Sequence, residues 1–290
     1  QFYWRGRLGL EQRTAEGLTS AGGFFEMAAR KDPAHAMAWS GVAETSLLRA
    51  GYERARAAAR RAVELDPTIA APHTTLALIA QNADWDWAEA EREYKRAIDL
   101  NPNDSDARHW YGEFLVLTGH AEPGLAELGR AEHLDPLSPG IASGYTKCLY
   151  LARRYDDAIA RGRATPEHRW LGGAYFQKGM DQEFRSELKL DSPEMYEPGL
   201  VLIAARKGDR QEVQRLLPVL ETRLQSGRLT PFTMAIVQTG IGNKDRAFQL
   251  LDEVYTKHEA ALVGLMVDPG FDALRSDLRF NMLLKRMHLI

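Results

Sequence analysis

The residue types that carry catalysis do not assemble into a known motif in this sequence. It contains no His-Glu-x-x-His, no Gly-x-Ser-x-Gly and no phosphate loop, and its eight histidines include no pair at metal-ligand spacing. Gly240-Ile241-Gly242-Asn243-Lys244 is glycine-rich but lies between two helical patterns, so we predict a turn there. Cys148 lies between Tyr145 and Leu149, which favours a buried filler over a reactive thiol. We therefore predict a protein that is not an enzyme and that needs no cofactor or metal.

Trp85-Asp86-Trp87 places two tryptophans within three residues. It falls between two helical patterns and accounts for a one-residue insertion there. The simpler interpretation is a turn whose rings pack over neighbouring helix ends, and the alternative is an anchor for a partner protein. Asp84 would serve as the N-cap of the helix that follows.

The elements that position these residues follow from a repeat. Leu65-Asp66-Pro67, Leu100-Asn101-Pro102 and Leu134-Asp135-Pro136 are close copies, and Lys31-Asp32-Pro33 is a looser one. The prolines of these four copies are almost evenly spaced, and only the step from Pro67 to Pro102 is longer by a single position. A unit of this length is too short to bury its own apolar face, so neighbouring units must stack.

Each unit contains two helical patterns. In the unit that ends at Pro67, apolar and small residues recur at i, i+3, i+4 and i+7, first in Trp39, Val42 and Ala43 and then in Ala55, Ala59 and Ala62. The Asp/Asn-Pro pair ends the second helix, because proline cannot continue it.

The pattern resembles the tetratricopeptide repeat (TPR), whose marked residues are Trp, Leu-Gly, Tyr, Ala, Phe, Ala and Pro over about 34 residues. The resemblance implies an all-α, right-handed α-solenoid of about eight helix-turn-helix pairs. We predict four regular repeats in residues 1–136, four degenerate repeats in 137–259 and a C-terminal capping segment in 260–290. The fifth and sixth pairs should be shortened by about two turns and one turn, and the repeat should pinch between Thr165 and Pro193.

In TPR proteins the first helices of successive pairs line a groove, and the resemblance implies that the same is true of this chain. In the middle units, the positions that would face this groove are occupied by aromatic and charged residues: His109, Trp110, Glu113, Lys147, Tyr150, Arg169, Trp170 and Phe176. Such residues hold an extended peptide through stacking, cation-π contacts and charge-assisted hydrogen bonds. The same register selects Glu44, Leu48, Thr74, Leu78 and Gln81. The alternative for each ring is packing between adjacent helices. The Lys and Asn set that clamps a terminal carboxylate in co-chaperone TPR domains is absent, so we do not expect a chaperone-tail adaptor.

Three further stretches are similar to the C-terminal TPR regions of bacterial regulators that carry a winged-helix DNA-binding domain, a nucleotide cyclase or a Ser/Thr kinase. They are residues 83–94, residues 109–113 and the tail from Asp268 to Phe280. This resemblance implies a role in transcription regulation or signal transduction, and the chain is then expected to be a piece of a longer polypeptide.

The bulk composition limits the partners. The net charge is −3, which gives no electrostatic case for direct nucleic-acid binding. No apolar run reaches the length of a membrane span, no signal peptide is visible, and the single cysteine suits a reducing compartment, so we predict a cytoplasmic location.

These observations predict a non-catalytic interaction module that binds a protein or peptide in its groove. The alternative is a small-molecule sensor with a closed pocket lined by Trp170, Tyr175 and Phe176. Self-association through an open repeat end is a further alternative.

Overall fold

The computed structural model describes residues 1–11, 14–164, 169–191 and 193–290. Within these ranges the ordered secondary structure is helical, without a strand. The chain divides into two compact units, Gln1–Tyr111 and Gly112–Ile290, and the boundary falls inside one helix. The repeat boundaries at residues 136 and 259 follow the sequence period and stay a prediction.

The described part of the first unit contains three helix pairs and the beginning of a seventh helix. The pairs are α1 (Phe2–Glu11) with α2 (Ala15–Lys31), α3 (Ala36–Leu47) with α4 (Tyr52–Leu65), and α5 (Ala71–Ile79) with α6 (Trp87–Leu100), followed by α7 (Ser105–Leu117).

The repeated Asp/Asn-Pro pair ends the second helices through two hydrogen bonds. At Asp66, the backbone N–H donates to the carbonyl of Ala62, while Oδ1 accepts from the N–H of Thr68 at 3.0 Å. The same arrangement is present at Asp32 and Asn101. The carboxylate or amide thus stabilises a turn that the following proline has already begun.

The inserted residue of the third pair is accommodated by a π-helical turn at Ala80–Asp84. Trp85 follows in the left-handed region (φ 54°) and is 3% exposed, in agreement with a ring that packs inside the molecule. The prediction that Asp84 caps the next helix is wrong. Asp86 accepts from the N–H of Glu89 instead, because the extra residue moves the start of α6, and Asp84 pairs with Arg56.

The first two pairs stack around one ring. Phe25 of α2 is fully buried, and it lies between two glycines, Gly6 of α1 and Gly41 of α3. A Cβ atom on Gly6 would lie 2.6 Å from the Phe25 ring, so neither position has room for a side chain.

The second unit continues with the rest of α7, its partner helix and further pairs. The helices are α8 (Ala121–Leu134), α9 (Pro139–Leu151), α10 (Tyr155–Gly162), α11 (Arg169–Gln177), α12 (Asp181–Asp191), α13 (Pro193–Lys207), α14 (Arg210–Gln225), α15 (Pro231–Gly240) and α16 (Lys244–Thr256). α10 has 8 residues and α12 has 11, against 14 in α8, which confirms the predicted shortening. The predicted pinch includes residues 165–168 and 192, which lie outside the described residues.

The chain ends in two 3₁₀ segments, Ala260–Gly264 and Pro269–Leu274, and in α17 (Leu278–Arg286). α17 packs on α16 through two pairs, Arg279 with Asp245 (2.8 Å) and Arg286 with Asp252 (2.7 Å). Each guanidinium also lies over a ring of α16, Phe248 or Tyr255. The terminal helix therefore covers the last pair.

The start of α17 should respond to acid. The side chain and the backbone N–H of Arg279 both bond to Asp277, and together they lower its pKa from 3.8 to about 2. Because the folded-state pKa is the lower one, this cap stabilises α17 above pH 3.8, and its contribution is lost as the pH falls to about 2. NMR signals of the α17 amides should show this transition, and an Asp277→Asn variant should lack it. A transition of equal size in the variant would contradict the assignment.

Candidate peptide-binding groove

The eight predicted groove residues divide between the two units. His109 and Trp110 lie on the part of α7 that belongs to the first unit. Their rings stack, with centroids 4.6 Å apart, and His109 is 5% exposed while Trp110 is partly exposed. Trp110 thus presents the more accessible ring of the two.

In the second unit the repeat period brings two charged residues together. Glu113 of α7 and Lys147 of α9 lie one repeat apart in sequence, and Lys147 Nζ lies 2.7 Å from Glu113 Oε2. The Glu113 side chain is 7% exposed, while the Lys147 side chain keeps 26% of its surface in solvent. Lys147 is therefore the more exposed side chain of the pair.

Tyr150 of α9 is a buried member of the predicted set. Its ring lies against Gly173 of α11, where a Cβ atom would come within 3.0 Å of it, and its centroid is 5.7 Å from that of Trp170. Burial, followed by the nearby Asp268, raises the pKa of Tyr150 far above its ordinary value. The phenol therefore stays protonated and serves as a packing group, while Trp170 remains partly exposed.

Phe176 of α11 carries a cation on its face. The guanidinium carbon of Arg206 lies 4.3 Å from the ring centroid, and Arg206 also donates to the Phe176 carbonyl. Phe184 packs against the same ring at 5.1 Å. Arg169, the remaining predicted residue, begins α11, and its side chain lies outside the described residues.

Residues 264–275 also contact the groove register, which the sequence did not predict. Arg153, in the turn that follows α9, donates to the carbonyl of Val267 (3.1 Å) and to Asp272 (2.6 Å). Phe271 packs edge-on against Phe232 of α15, with ring centroids 5.2 Å apart. We call residues 264–275 the C-terminal strap. It contacts the turn after α9 through its backbone and a carboxylate, and it contacts α15 through an aromatic ring.

The strap is stabilised by hydrogen bonds within its own turn and by buried apolar side chains. Arg275 donates to the carbonyls of Met266 and Asp268, which fixes its turn. Leu265, Phe271 and Leu274 of the strap, and Leu262 just before it, are fully buried. Burying the three side chains of the strap contributes roughly 5 kcal/mol or more, so the strap is packed into the second unit.

The described residues hold neither a metal-ion cluster nor a membrane-spanning helix. In that part of the chain, no group of three or more His, Cys, Asp or Glu side chains could hold a metal ion. Within the same ranges, no helix is both long enough and apolar enough to cross a membrane.

Successive helix pairs, the first four of them ending at the regularly spaced Asp/Asn-Pro copies, define the described chain as an all-α solenoid of TPR-like pairs. No family model matches the sequence, and no curated protein sequence matches it. Solved structures do resemble the fold. Human IFIT1, a dimer with m7Gppp-AAAA, has a TM-score of 0.56 at 15% identity over 87% of this chain and 70% of its own.

Two bacterial proteins give further comparisons. PilF of Pseudomonas aeruginosa has a TM-score of 0.51 at 19% identity, over 66% of this chain and 92% of its own. TTC0263, a TPR protein of Thermus thermophilus, has a TM-score of 0.48 at 20% identity, over 66% of this chain and 98% of its own. At these identities the likeness concerns the fold and not the activity.

Proposed function

We propose that this chain is a non-catalytic interaction module of a bacterial, cytoplasmic signalling or transcription regulator, and that it binds a protein or peptide through its first helices. One observation carries this proposal. In the second unit the strap is held by Arg153, in the turn after the first helix α9, which bonds to a backbone carbonyl and a carboxylate, and by Phe232 of the first helix α15, which packs on Phe271. A backbone carbonyl is offered by any peptide segment, and a carboxylate and a ring are offered by a segment that contains an acidic and an aromatic residue.

A partner would use the groove residues that the strap leaves accessible. Lys147 offers an ammonium group, and Trp170 and Phe176 offer partly exposed rings. Trp110 would play the same part in the first unit, next to His109. Glu113 would position Lys147, and Tyr150 would position Trp170. Arg169 would add a second cation. Aromatic and cationic anchors of this kind dominate the binding energy of protein interfaces.

The regulator context rests on the three stretches that resemble the TPR regions of bacterial regulators. Within this proposal the chain is the sensing or docking part, without direct contact to nucleic acid or membrane. The alternative is a small-molecule sensor with Trp170, Tyr175 and Phe176 in one pocket. Each of these rings has its own neighbour, Tyr150, Arg163 or Phe184, so this candidate has less support.

Affinity capture from a bacterial lysate tests the proposal. The immobilised chain should retain a partner that the Trp170→Ala variant recovers at least about tenfold less, because truncating an aromatic anchor typically costs more than a factor of ten in affinity. Trp4→Ala is the matched control, since Trp4 is 72% exposed and lies on α1. Equal recovery by all three proteins would exclude this groove as the binding surface.

A further inference from the structure

The first helix pair keeps large apolar side chains exposed on one side of α1. Tyr3 and Leu10 of α1 pack against the core that the first two pairs share. Trp4 and Leu8 lie one turn apart on the side that these contacts leave open, and they are 72% and 60% exposed. Phe24 of α2 is partly exposed and lines the same hollow as Leu8. Three large apolar residues therefore lie at the surface of one helix pair.

The repeat shows what these positions do where a preceding pair is present. The residues one repeat after Trp4, Leu8 and Phe24 are Ala38, Val42 and Ala58. Those three residues are no more than 4% exposed, because they pack against residues of α2. The first pair thus exposes the surface that the second pair buries against a neighbouring pair of helices, and this surface carries larger apolar side chains.

A hollow of about 210 Å³ lies between α1 and α2 on this side of the pair. Its lining residues are Arg5, Leu8, Gly9, Ser20 and Phe24. Gly9 has no side chain and Ser20 has a small one, so the space between the helices stays open. Small-molecule sites measure roughly 300–1,000 Å³, so this hollow suits one protruding side chain better than a free ligand. Trp4, on the same helix, is a protruding side chain of this kind.

Opposite charges lie at the two ends of the same surface. The guanidinium carbon of Arg5 is 5.8 Å from the ring centroid of Phe24. Glu16 lies in the first turn of α2, on the face of the helix that also carries Ser20 and, about two turns after Glu16, Phe24. Arg5 and Glu16 are both exposed, and they are separated along the helix pair by this length. A two-fold axis can therefore place each Arg5 opposite the Glu16 of a second copy.

We infer that this surface binds a second copy of the chain in a closed, two-fold symmetric dimer. We call it the end face, and it consists of Trp4, Arg5, Leu8, Glu16, Ser20 and Phe24. Trp4 of each copy enters the hollow of the other, and Arg5 of each copy pairs with Glu16 of the other. One surface supplies both the protruding ring and the hollow, and both charges, which is the self-complementarity that a two-fold interface requires. The inference goes beyond the proposed function and does not depend on it.

Sedimentation velocity on the whole chain, over a wide range of protein concentration, tests the dimer. The sedimenting mass should rise from one chain to two and stop there. Trp4→Glu should raise the dissociation constant at least about tenfold, because it replaces an aromatic anchor by a charge. Leu278→Glu is the matched control. Leu278 is equally exposed, at 73%, but lies on α17, so this variant should dimerise like the parent chain.

A charge exchange tests which residues face each other. Arg5→Glu and Glu16→Arg each place like charges across the two-fold axis, so each variant alone should stay monomeric. An equal mixture of the two should form a heterodimer, because every pair across the axis then joins opposite charges. Thermal unfolding of each variant should match that of the parent chain, since both side chains are exposed.

Four results would overturn the end face. They are a parent chain that stays monomeric, a mass that grows beyond two chains, a loss of the dimer in Leu278→Glu as large as in Trp4→Glu, and a mixture of the two charge variants without a heterodimer. Growth beyond two chains would indicate head-to-tail association in place of a closed dimer.

Discussion

Replacing Phe271 by alanine should lower the free energy of unfolding of the second unit by about 3–5 kcal/mol. Phe271 is fully buried and packs edge-on against Phe232, so the substitution removes a ring that the neighbouring helices cannot replace by collapse. Leu278→Ala is the control. It alters an apolar residue of the same C-terminal region that is 73% exposed, and its effect should stay within about 0.5 kcal/mol.

Hydrogen exchange is the suitable measurement for Phe271→Ala, because repeat arrays unfold in parts and a single transition does not describe them. Amides of the strap and of α15 should exchange faster in the variant, while those of α2 and α4 keep their rates. If Phe271→Ala behaved like Leu278→Ala, the strap would not be packed on α15.

Gly41→Ala should destabilise the first unit by about 1–3 kcal/mol, although alanine is the better helix former. A Cβ atom at this position meets the ring of Phe25. The ring cannot move away, because a Cβ position on Gly6, on α1, is only 2.6 Å from it.

Gly23→Ala is the matched control, since Gly23 lies inside α2 and a Cβ atom there would meet nothing within 4 Å. This control should be stabilised by about 0.5–1 kcal/mol through helix propensity alone. Chemical denaturation of the two variants should therefore give changes of opposite sign. Two changes of the same sign would mean that Phe25 does not fill the gap between the first two pairs.

The helix pairs could be predicted from the sequence because their signals are local and repeated. The Asp/Asn-Pro pairs end α2, α4, α6 and α8, and the distances between them fix the period. Prolines without this repeated context are less informative, because both Pro198 and Pro218 lie inside helices, α13 and α14, which continue through them.

The candidate site was predictable in part. The register identifies which face of a helix a residue occupies, but not how deeply later segments bury it. His109, Glu113 and Tyr150 are therefore in the predicted register yet buried, while Trp170 and Phe176 are partly exposed. Whether these residues bind a partner stays a prediction.

A C-terminal capping segment is predicted from the sequence, but the contacts of the strap within it could not be predicted, because they join residues far apart in the chain and outside the period. Arg153 and Asp272 are separated by 119 residues, and residues 260–277 have no repeat counterpart. The signal that was available is weak. Phe232 and Ile236 are apolar at register positions where the middle units have charged residues, which indicates that something covers them. Gly270 of the strap indeed lies against Ile236.

Site-specific photocrosslinking would test the central claim most directly. A photoreactive phenylalanine analogue is placed at Phe176 on α11, a first helix, and in a second protein at Phe248 on α16, a second helix; both residues are partly exposed. We expect the captured partner to crosslink from position 176 and not from position 248. Crosslinking from position 248 alone would contradict binding through the first helices.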